Sequence, residues 1–288
     1  MKKAVAIISF ILILTTLVSC SKKVEYTIYV DHSAGIDSSD SSSFKYPVKS
    51  ADEKVFSFAE KTEISKPANA EDTKKLTLLG VTYNLDYRRT FKTAISASER
   101  LGDLGSINEY TRDDFIAEFN SDGTLIFFSD LGTDRRNEGD FTEDAATETA
   151  DKLVKELYGD DIENQYERTK LSGSAGASKK TYSFSYKRKV HGFDTIDTIL
   201  IKFNMEGKLV CVNAKNMGTM ETAEKDLKKS EIEKAIKAIN DNYSGKWNVS
   251  DSYTLIVDSN GDYYIRGGVS RKNESGSIIA MQVYTNIK

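Results

Sequence analysis

Two segments of the chain space their apolar residues as an amphipathic helix does. The first, residues 142–158, has a single apolar stripe formed by Ala146, Ala150, Leu153, Val154 and Leu157. Thr142 is a suitable N-cap and Gly159 a suitable end for this helix. The second helix is predicted to begin at Ser230, which has capping-box spacing to Glu233. Its predicted buried face comprises Ile232, Ala235, Ile236 and Ile239.

Alternating and short apolar runs elsewhere predict β-strands. After the first helix these runs are residues 181–190, 195–203 and 208–212, and after the second they are residues 253–257, 263–269 and 277–286. Upstream, residues 76–87 alternate over a length that predicts one long strand. Residues 51–60 begin with capping-box spacing between Ser50 and Glu53, which predicts a helix, while the aromatic run at 56–58 fits a strand equally well.

A short internal repeat links these elements. Residues 115–126 align without a gap with residues 199–210, and residues 255–264 form a weaker third copy. Each copy has an Asn or Asp followed three residues later by a Gly: Asn120 and Gly123, Asn204 and Gly207, Asp258 and Gly261. Such a pair favours a tight turn in which the glycine has a positive φ, so three β-hairpins are predicted.

The first twenty residues have the pattern of a secreted bacterial protein. Lys2 and Lys3 precede an uncharged stretch, residues 4–19, that is shorter than the roughly 20 residues of a membrane-spanning helix. The stretch ends in Leu17, Val18, Ser19 and Cys20, which resembles the lipobox of bacterial lipoproteins. That resemblance implies cleavage before Cys20 and lipid attachment to its thiol. The alternative is an ordinary leader whose next residue happens to be a cysteine.

A lipidated Cys20 would hold the mature chain at the outer face of the bacterial cytoplasmic membrane, because two or more acyl chains give stable anchoring. The serine-rich residues 33–43 have too little apolar surface to fold alone, so they are predicted to be a flexible tether. Residues 25–30 alternate like a strand, and two interpretations stay open for them. They pair with the main body or form part of an adhesive stalk.

The order of elements predicts an α+β fold of tandem α-β-β-β units, each with one helix packed on a small antiparallel sheet, after a β-rich N-terminal unit. The predicted divisions are a signal peptide at 1–19, a lipid-anchored flexible tether at 20–48, the β-rich unit at 49–141, and the α-β-β-β units at 142–218 and 219–288.

The repeated α-β-β-β order after a lipobox resembles the PepSY family of bacterial envelope domains. Residues 141–158, 182–192 and 199–212 are similar to the family's helix, aromatic strand and glycine-turned hairpin, and residues 230–285 are similar to a second copy. The resemblance covers about half of the chain and rests on element order. It implies a binding or inhibitory module that acts near peptidases outside the cell and has no catalytic residues.

Composition excludes several other classes of function. The 288 residues are 39% hydrophobic, enough for a buried core, and carry 44 acidic against 40 basic side chains without a basic stripe. Nucleic-acid binding is therefore not expected, since it relies on Lys and Arg that neutralise phosphates. Two histidines and two cysteines are too few for a transition-metal site or a disulfide framework, and no cofactor is predicted.

Isolated reactive residues are expected to have structural roles. Cys211 lies in an apolar run and is predicted to be a buried, inert thiol. His191 precedes a glycine at a predicted turn, where a solvated or locally bonded imidazole is expected. Tyr182, Phe184 and Tyr186 alternate on one strand face, for which a covered core face is expected and an exposed aromatic platform is the alternative.

Acidic groups give no clear metal or catalytic signature. Residues 258–262 offer alternate oxygen ligands, but the glycine and glutamate positions of an EF-hand loop are not matched, so a hairpin turn is predicted. A second acidic group is expected to be solvated: Asp103, Glu109, Asp113, Asp114 and Glu118. The spacings of zinc proteases and serine hydrolases do not occur.

These observations predict a lipid-anchored extracytoplasmic module that binds or inhibits a partner and is not an enzyme. Its partners are expected to be the membrane, through Cys20, and an envelope protein, peptidase or cell-wall component. Sheet-edge addition or an exposed sheet face is the expected mode of contact. The alternatives are an envelope hydrolase that uses carboxylates the sequence does not locate, and the solute-binding lipoprotein of an importer.

Overall fold

A computed structural model describes residues 26–30, 44–50, 61–93, 106–132, 139–171, 181–245, 247–258, 261–272 and 275–287. The leader with Cys20, residues 33–43 and the predicted helix at 51–60 lie outside the described residues.

Strands dominate the part of the chain that the structure describes. The strands are β1 (Ile28–Val30), β2 (Val48–Ser50), β3 (Lys61–Ile64), β4 (Thr73–Leu78), β5 (Val81–Thr93), β6 (Ile107–Arg112), β7 (Phe115–Phe119), β8 (Leu125–Asp130), β9 (Tyr166–Leu171), β10 (Tyr182–Val190), β11 (Phe193–Phe203), β12 (Leu209–Asn213), β13 (Asn248–Val257), β14 (Tyr263–Lys272) and β15 (Ile278–Asn286). The helices are α1 (Glu143–Tyr158), α2 (Ile162–Gln165), α3 (Ala223–Asp226) and α4 (Lys229–Tyr243). In these residues, no helix has both the length and the apolar character needed to cross a membrane.

Both predicted helices are confirmed, with one change at a helix start. The Thr142 hydroxyl accepts a hydrogen bond from the Ala145 N–H at 3.3 Å, and the apolar stripe of α1 is buried. The second helix, α4, has its N-cap at Lys228, two residues before the predicted cap at Ser230. Glu231, not Glu233, accepts the backbone N–H of Lys228 at 3.0 Å, because it is the glutamate at the third helical position.

The three predicted hairpins are confirmed and share one turn geometry. They are β7–β8, β11–β12 and β13–β14. In each turn the opening residue donates its backbone N–H to the carbonyl four residues later, and its side-chain oxygen accepts the N–H of that same residue. The backbone and side-chain distances are 3.0 and 2.9 Å at Asn120, 3.0 and 2.8 Å at Asn204, and 2.9 and 2.8 Å at Asp258. The internal repeat is therefore a repeat of turn chemistry.

The predicted single strand over residues 76–87 is wrong, because a tight turn divides it. Leu79 and Gly80 both have positive φ, 50° and 80°, and they connect β4 to β5 as a two-residue hairpin turn. The apolar alternation continues through this turn, so the pattern alone did not indicate the reversal.

The predicted tandem α-β-β-β units are also wrong, because the strands belong to one mixed sheet of fifteen within the described residues. Its main order is β2-β1-β15-β14-β13-β11-β12-β8-β7-β6-β5-β3, with β4 beside β5, β10 beside β11 and β9 beside β10. The pairs β1–β2 and β11–β13 are parallel, and the others are antiparallel. The units expected to be separate are thus hydrogen-bonded to one another.

Three long-range pairings cause this difference. The strand β12 pairs with β8, and β1 pairs with β15. The strand β11 pairs with β13 through only two residue pairs, Asp194 with Thr254 and Thr195 with Leu255. An unpaired strand edge leaves backbone N–H and C=O groups without partners, so the edges of small neighbouring sheets tend to join. Hydrophobic periodicity reports faces of a strand and contains no information about its edges.

Two hydrophobic cores lie on the same face of this sheet. The first core contains α1 and residues from β4 to β12, and the second core contains α4 and residues from β1, β13, β14 and β15. Thr195 of β11 aligns with Leu255 of the second core, while Ile199 and Ile201, at alternate positions from Thr195, belong to the first. Because aligned residues point to the same side, α1 and α4 share one face. We call the opposite side the outer face.

Candidate functional site

The residues with reactive side chains have structural positions. His191 is in the two-residue turn between β10 and β11 with φ of 51°, and its Nε2 lies 2.7 Å from the carbonyl oxygen of Leu227. This contact joins the turn to the segment that precedes α4. Phe184 and Tyr186 are in the first core, which confirms the covered core face, and the Tyr182 hydroxyl donates to the Phe141 carbonyl at 2.9 Å.

Cys211 is half-buried, so the prediction of a buried thiol is wrong. Its neighbours Val210 and Val212 are 1% and 0% exposed. Cys211 lies opposite Ser129 of β8 in the β12–β8 pairing. A strand within a sheet that has only one helix-covered face buries alternate positions most deeply, even where the sequence is continuously apolar.

Two of the acidic residues expected to be solvated are buried instead. Glu109 and Glu118 are each 3% exposed and lie directly opposite each other on β6 and β7. Glu109 contacts Arg88 at 3.0 Å and Arg89 at 3.1 Å, and Glu118 contacts Lys215 at 2.8 Å. Cations from β5 and from the turn after β12 thus neutralise the two carboxylates, which would otherwise repel each other.

A buried ionic network lies between the two cores. Asp197 of β11 is fully buried and accepts hydrogen bonds from the Tyr166 hydroxyl at 2.6 Å and from Arg188 at 3.1 Å. It also accepts the backbone N–H of Gly218 at 3.0 Å, in the segment that leads to the second core. Burial raises the pKa of the Asp197 carboxyl above its usual value, against the lowering effect of Tyr166 and Arg188. These hydrogen bonds connect β9, β10 and β11 to the segment that leads to the second core.

The strand β15 has a long unpaired edge. On one side it pairs with β14 over its whole length, whereas on the other side β1 covers only residues 283–285. Residues 278–282 therefore have no partner strand on that side within the described part of the chain. We call these five residues the open edge.

The backbone groups of the open edge point outward at alternate residues. Ile28 of β1 donates its N–H to the carbonyl of Pro47, away from β15. Because the direction of the backbone N–H and C=O groups alternates along a strand, those of the next residue, Tyr29, point to β15. The N–H and C=O groups of its partner Tyr284 therefore point to β1. The N–H and C=O groups of Ile278, Ala280 and Gln282, in phase with Tyr284, point out of the open edge. In agreement, Ile287, which is in the opposite phase, donates its N–H to the carbonyl of Tyr263 in β14 at 2.9 Å.

A trough of about 630 Å³ lies beside the open edge on the outer face of β13, β14 and β15. It is lined by Asn248, Val249, Ser250, Gly268, Val269, Ser270, Ala280, Met281 and Gln282. The space exists because the side chains on this face are small. Gly268 forms part of the floor of the trough. A Cβ atom added to it would lie 3.5 Å from the Ser250 Cβ, an ordinary contact distance, so an alanine would fit at this position. None of the lining residues is acidic.

Basic residues flank this trough. On the outer face β14 presents Arg266, Gly268, Ser270 and Lys272 in alternation, and Lys272 aligns with Ile278 at the start of the open edge. On the helix face the Arg271 guanidinium lies 4.4 Å from the Trp247 ring centre. Within the described residues of β14 and β15 there are three cationic side chains and no acidic one.

Sequence reasoning missed both the trough and the open edge. The small residues Gly268, Ser270 and Ala280 on one face of two adjacent predicted strands were a usable signal for a trough. The open edge had no such signal, because it depends on how far β1 extends along β15.

Comparison of the chain with protein-family models, curated proteins and solved structures found no match. Across the described residues, no group of three or more His, Cys, Asp or Glu side chains is close enough together to hold a metal ion.

Proposed function

We propose that this chain is a lipid-anchored, non-enzymatic binding module on the outer face of the bacterial cytoplasmic membrane, which receives an extended segment of a partner protein at the open edge. The observation that carries this proposal is the outward direction of the backbone groups of Ile278, Ala280 and Gln282, which have no partner strand in the described residues. Recognition of an extended peptide by an unpaired strand requires such groups.

The dimensions of the open edge suit a short peptide. Five residues extend over about 17 Å at the usual rise of a strand. A segment added there would place alternate side chains over the trough on the outer face and beside Ile279 and Met281 on the helix face. Ile278, which is 70% exposed, offers apolar contact at one end. Backbone hydrogen bonds would supply affinity, and the two rows of side chains would supply specificity.

The position of β1 supports action close to the membrane. Tyr26 is 6% exposed and belongs to the second core, so the chain is already packed into the folded body at this residue. Only residues 21–25 lie between it and Cys20, and a fully extended chain spans about 20 Å from Cys20 to Tyr26. A lipid on Cys20 would therefore hold the second core near the bilayer, where the effective concentration of a membrane-bound partner is high.

The test uses a substitution that alters only the outward side of β15. Ala280→Pro removes the outward N–H of residue 280 and leaves the bonds of residues 279 and 281 to β14 intact. Ala280→Ser is the matched control, because it changes the side chain and keeps the N–H. Random linear dodecapeptides displayed on phage are selected on the immobilised full chain. The Kd of each enriched peptide is then measured for the parent chain, for Ala280→Pro and for Ala280→Ser.

We expect enriched peptides whose Kd rises at least about tenfold with Ala280→Pro, equal to the loss of one or two backbone hydrogen bonds, and stays within about twofold with Ala280→Ser. Circular dichroism and the urea midpoint establish that both variants are folded. The proposal fails if no linear peptide is enriched, or if folded Ala280→Pro binds every enriched peptide as the parent chain does.

A further inference from the structure

We infer that the segment received at the open edge is acidic, with carboxylate side chains at the end that lies beside Lys272. This inference rests on the proposed function and specifies the chemistry of the partner segment. It comes from the register of β14 and β15 and from the distribution of charge around the open edge.

The register of β14 and β15 places one cation on each face of the sheet at the Ile278 end of the open edge. Lys272 aligns with Ile278, and Arg271 aligns with Ile279. A residue of the added segment opposite Ile278 would lie in the same row as Lys272, two strand spacings or about 10 Å away between backbones. Long side chains in one row bridge such a separation. The residue opposite Ile279 would point to the other face, in the row of Arg271 and Trp247.

Two cations of β14, Lys272 and Arg266, lack a carboxylate partner in the described part of the chain, in contrast to cations of other strands. On β10, Lys187 is paired with Asp194 at 2.9 Å and Lys189 with Glu167 at 2.5 Å. Across the described residues, neither Lys272 nor Arg266 is in an ion pair, and the strand between them and the open edge, β15, has no charged side chain. An acidic segment would supply the missing charge, whereas a basic segment would add to the repulsion.

The backbone groups of the open edge decide between kinds of anionic ligand. An anionic polysaccharide matches the cations but has no strand backbone to pair with Ile278, Ala280 and Gln282. An acidic peptide matches both features, and we therefore commit to it.

The experiment compares three synthetic fluorescein-labelled heptapeptides of sequence Thr-X-Val-X-Thr-X-Thr, in which X is glutamate, glutamine or lysine throughout. Fluorescence polarisation gives the Kd of each peptide for the full chain at low and at high salt. We expect the glutamate peptide to bind about fivefold more tightly than the glutamine peptide at low salt, and the lysine peptide to bind most weakly. The glutamate preference should shrink at high salt, because the cations are exposed to solvent.

Two lysine substitutions locate the effect. The preference for glutamate is the logarithm of the ratio between the Kd of the glutamine peptide and that of the glutamate peptide. Lys272→Gln should reduce this logarithm by at least half. Lys208→Gln is the matched control, because Lys208 is an exposed lysine near the first core and makes the same change in net charge. It should leave the preference unchanged. If the two substitutions lower the preference equally, the preference results from the net charge of the protein and not from Lys272, and the inference is overturned.

The outcomes separate this inference from the proposed function. If the glutamate and glutamine peptides bind equally and Ala280→Pro weakens both, strand addition stands and the acidic specificity is wrong. If no linear peptide responds to Ala280→Pro, the proposed function fails first. A third variant replaces residues 33–43, which include Asp37 and Asp40, with a Gly-Ser segment of equal length. Binding of the glutamate peptide only to this variant would make the chain its own ligand and overturn the inference about a partner.

Discussion

Within the described residues, the side of β9 that faces away from β10 and the open edge of β15 both lack a partner strand, yet their side chains differ. On β9, Glu167 is paired with Lys189 and Arg168 with Asp151 at 3.2 Å, so the β9 edge is flanked by compensated charges. On β15, no charged side chain occurs, and Ile278 is 70% exposed. Charged side chains along an edge oppose the addition of another strand. The β9 edge is therefore protected against strand addition, whereas the open edge lacks this protection.

The outer faces of the two helix-backed regions differ in the same way. Next to the first core, the buried carboxylates of Glu109 and Glu118 are neutralised by cations of β5 and of the turn after β12. Next to the second core, Arg266 and Lys272 flank a trough lined by small and amide side chains. The charged groups near the first core are thus paired with one another, whereas Arg266 and Lys272 near the second core have no ion pair among the described residues.

The largest effect is expected at Asp197, the carboxylate that connects the two regions. Asp197→Ala leaves Arg188, which is 15% exposed, without its buried partner and removes the acceptor for Tyr166 and for the Gly218 N–H. Loss of one member of a buried ion pair costs about 3–5 kcal/mol of unfolding free energy. Urea denaturation followed by circular dichroism measures this loss.

Asp194→Ala, three residues earlier on β11, is the control. Asp194 is 37% exposed and paired with Lys187, so its removal should cost about 0–1 kcal/mol. Equal losses of unfolding free energy for the two variants would show that the Asp197 network contributes no more than a surface ion pair. The two β11–β13 residue pairs would then remain as the backbone connection between the regions.

The next effect concerns cooperativity between the two cores. Leu153 is fully buried in the first core, and Leu153→Ala should cost about 2–5 kcal/mol. Trp247, the one tryptophan of the sequence, is in the second core and reports on it by fluorescence. The β10–β11 hairpin has Ile199 and Ile201 in the first core and Val190 in the second. We therefore expect the Trp247 midpoint in urea to move together with the circular dichroism midpoint.

The control for this prediction is Ile239→Ala, a truncation of equivalent kind in the second core, where Ile239 is fully buried. It should shift both signals by similar amounts. A Leu153→Ala variant whose circular dichroism transition separates from an unchanged Trp247 transition would break the expectation. The molecule would then contain two independent folding units in spite of its continuous sheet.

Local elements were predictable from the sequence to the extent that their causes are local. The stripe of α1 with its Thr142 cap, and the three turns opened by Asn120, Asn204 and Asp258, follow from residue spacing and side-chain hydrogen bonding within four residues. The sheet was not predictable, because β8–β12 and β1–β15 join residues more than 80 positions apart. The cause of these pairings is the need to satisfy strand edges, which leaves no periodic signal in the sequence.

The candidate site illustrates the same limit. The polar residues that the sequence drew attention to, such as His191 and Glu118, are bonded within the fold. The open edge is a property of backbone groups whose side chains, Ile278, Ala280 and Gln282, have no chemical signature. It is defined by the register of β1, in which Val30, the last described residue of this segment, lies opposite Val283.

The smallest effect is expected at Asp241, on the side of α4 that contacts the segment before β2. Asp241 accepts hydrogen bonds from Lys237 at 2.8 Å and Lys45 at 2.6 Å, and these bonds lower the pKa of its carboxyl below the usual value. A carboxyl whose pKa is lowered by folding stabilises the folded state above the unfolded pKa of 3.8, and this stabilisation is lost as the pH falls through the folded value. Its side chain is 21% exposed, so its contribution should be about 0.5–1 kcal/mol at neutral pH.

Asp241→Asn should therefore be less stable than the parent chain at neutral pH, and the two should converge in acid. Urea midpoints over a series of pH values measure the difference. Glu233→Gln is the control on the same helix, because Glu233 is 55% exposed and 4.0 Å from Lys229, and we expect it to change stability by no more than a few tenths of a kcal/mol at any pH. A difference for Asp241→Asn that persists or grows in acid would contradict an ionic contact. The segment before β2 would then be attached to α4 by the hydrogen bond from the Tyr46 N–H to Asn242 at 2.8 Å and by the contact of Phe44 with Tyr243, without an ionic contribution from Asp241.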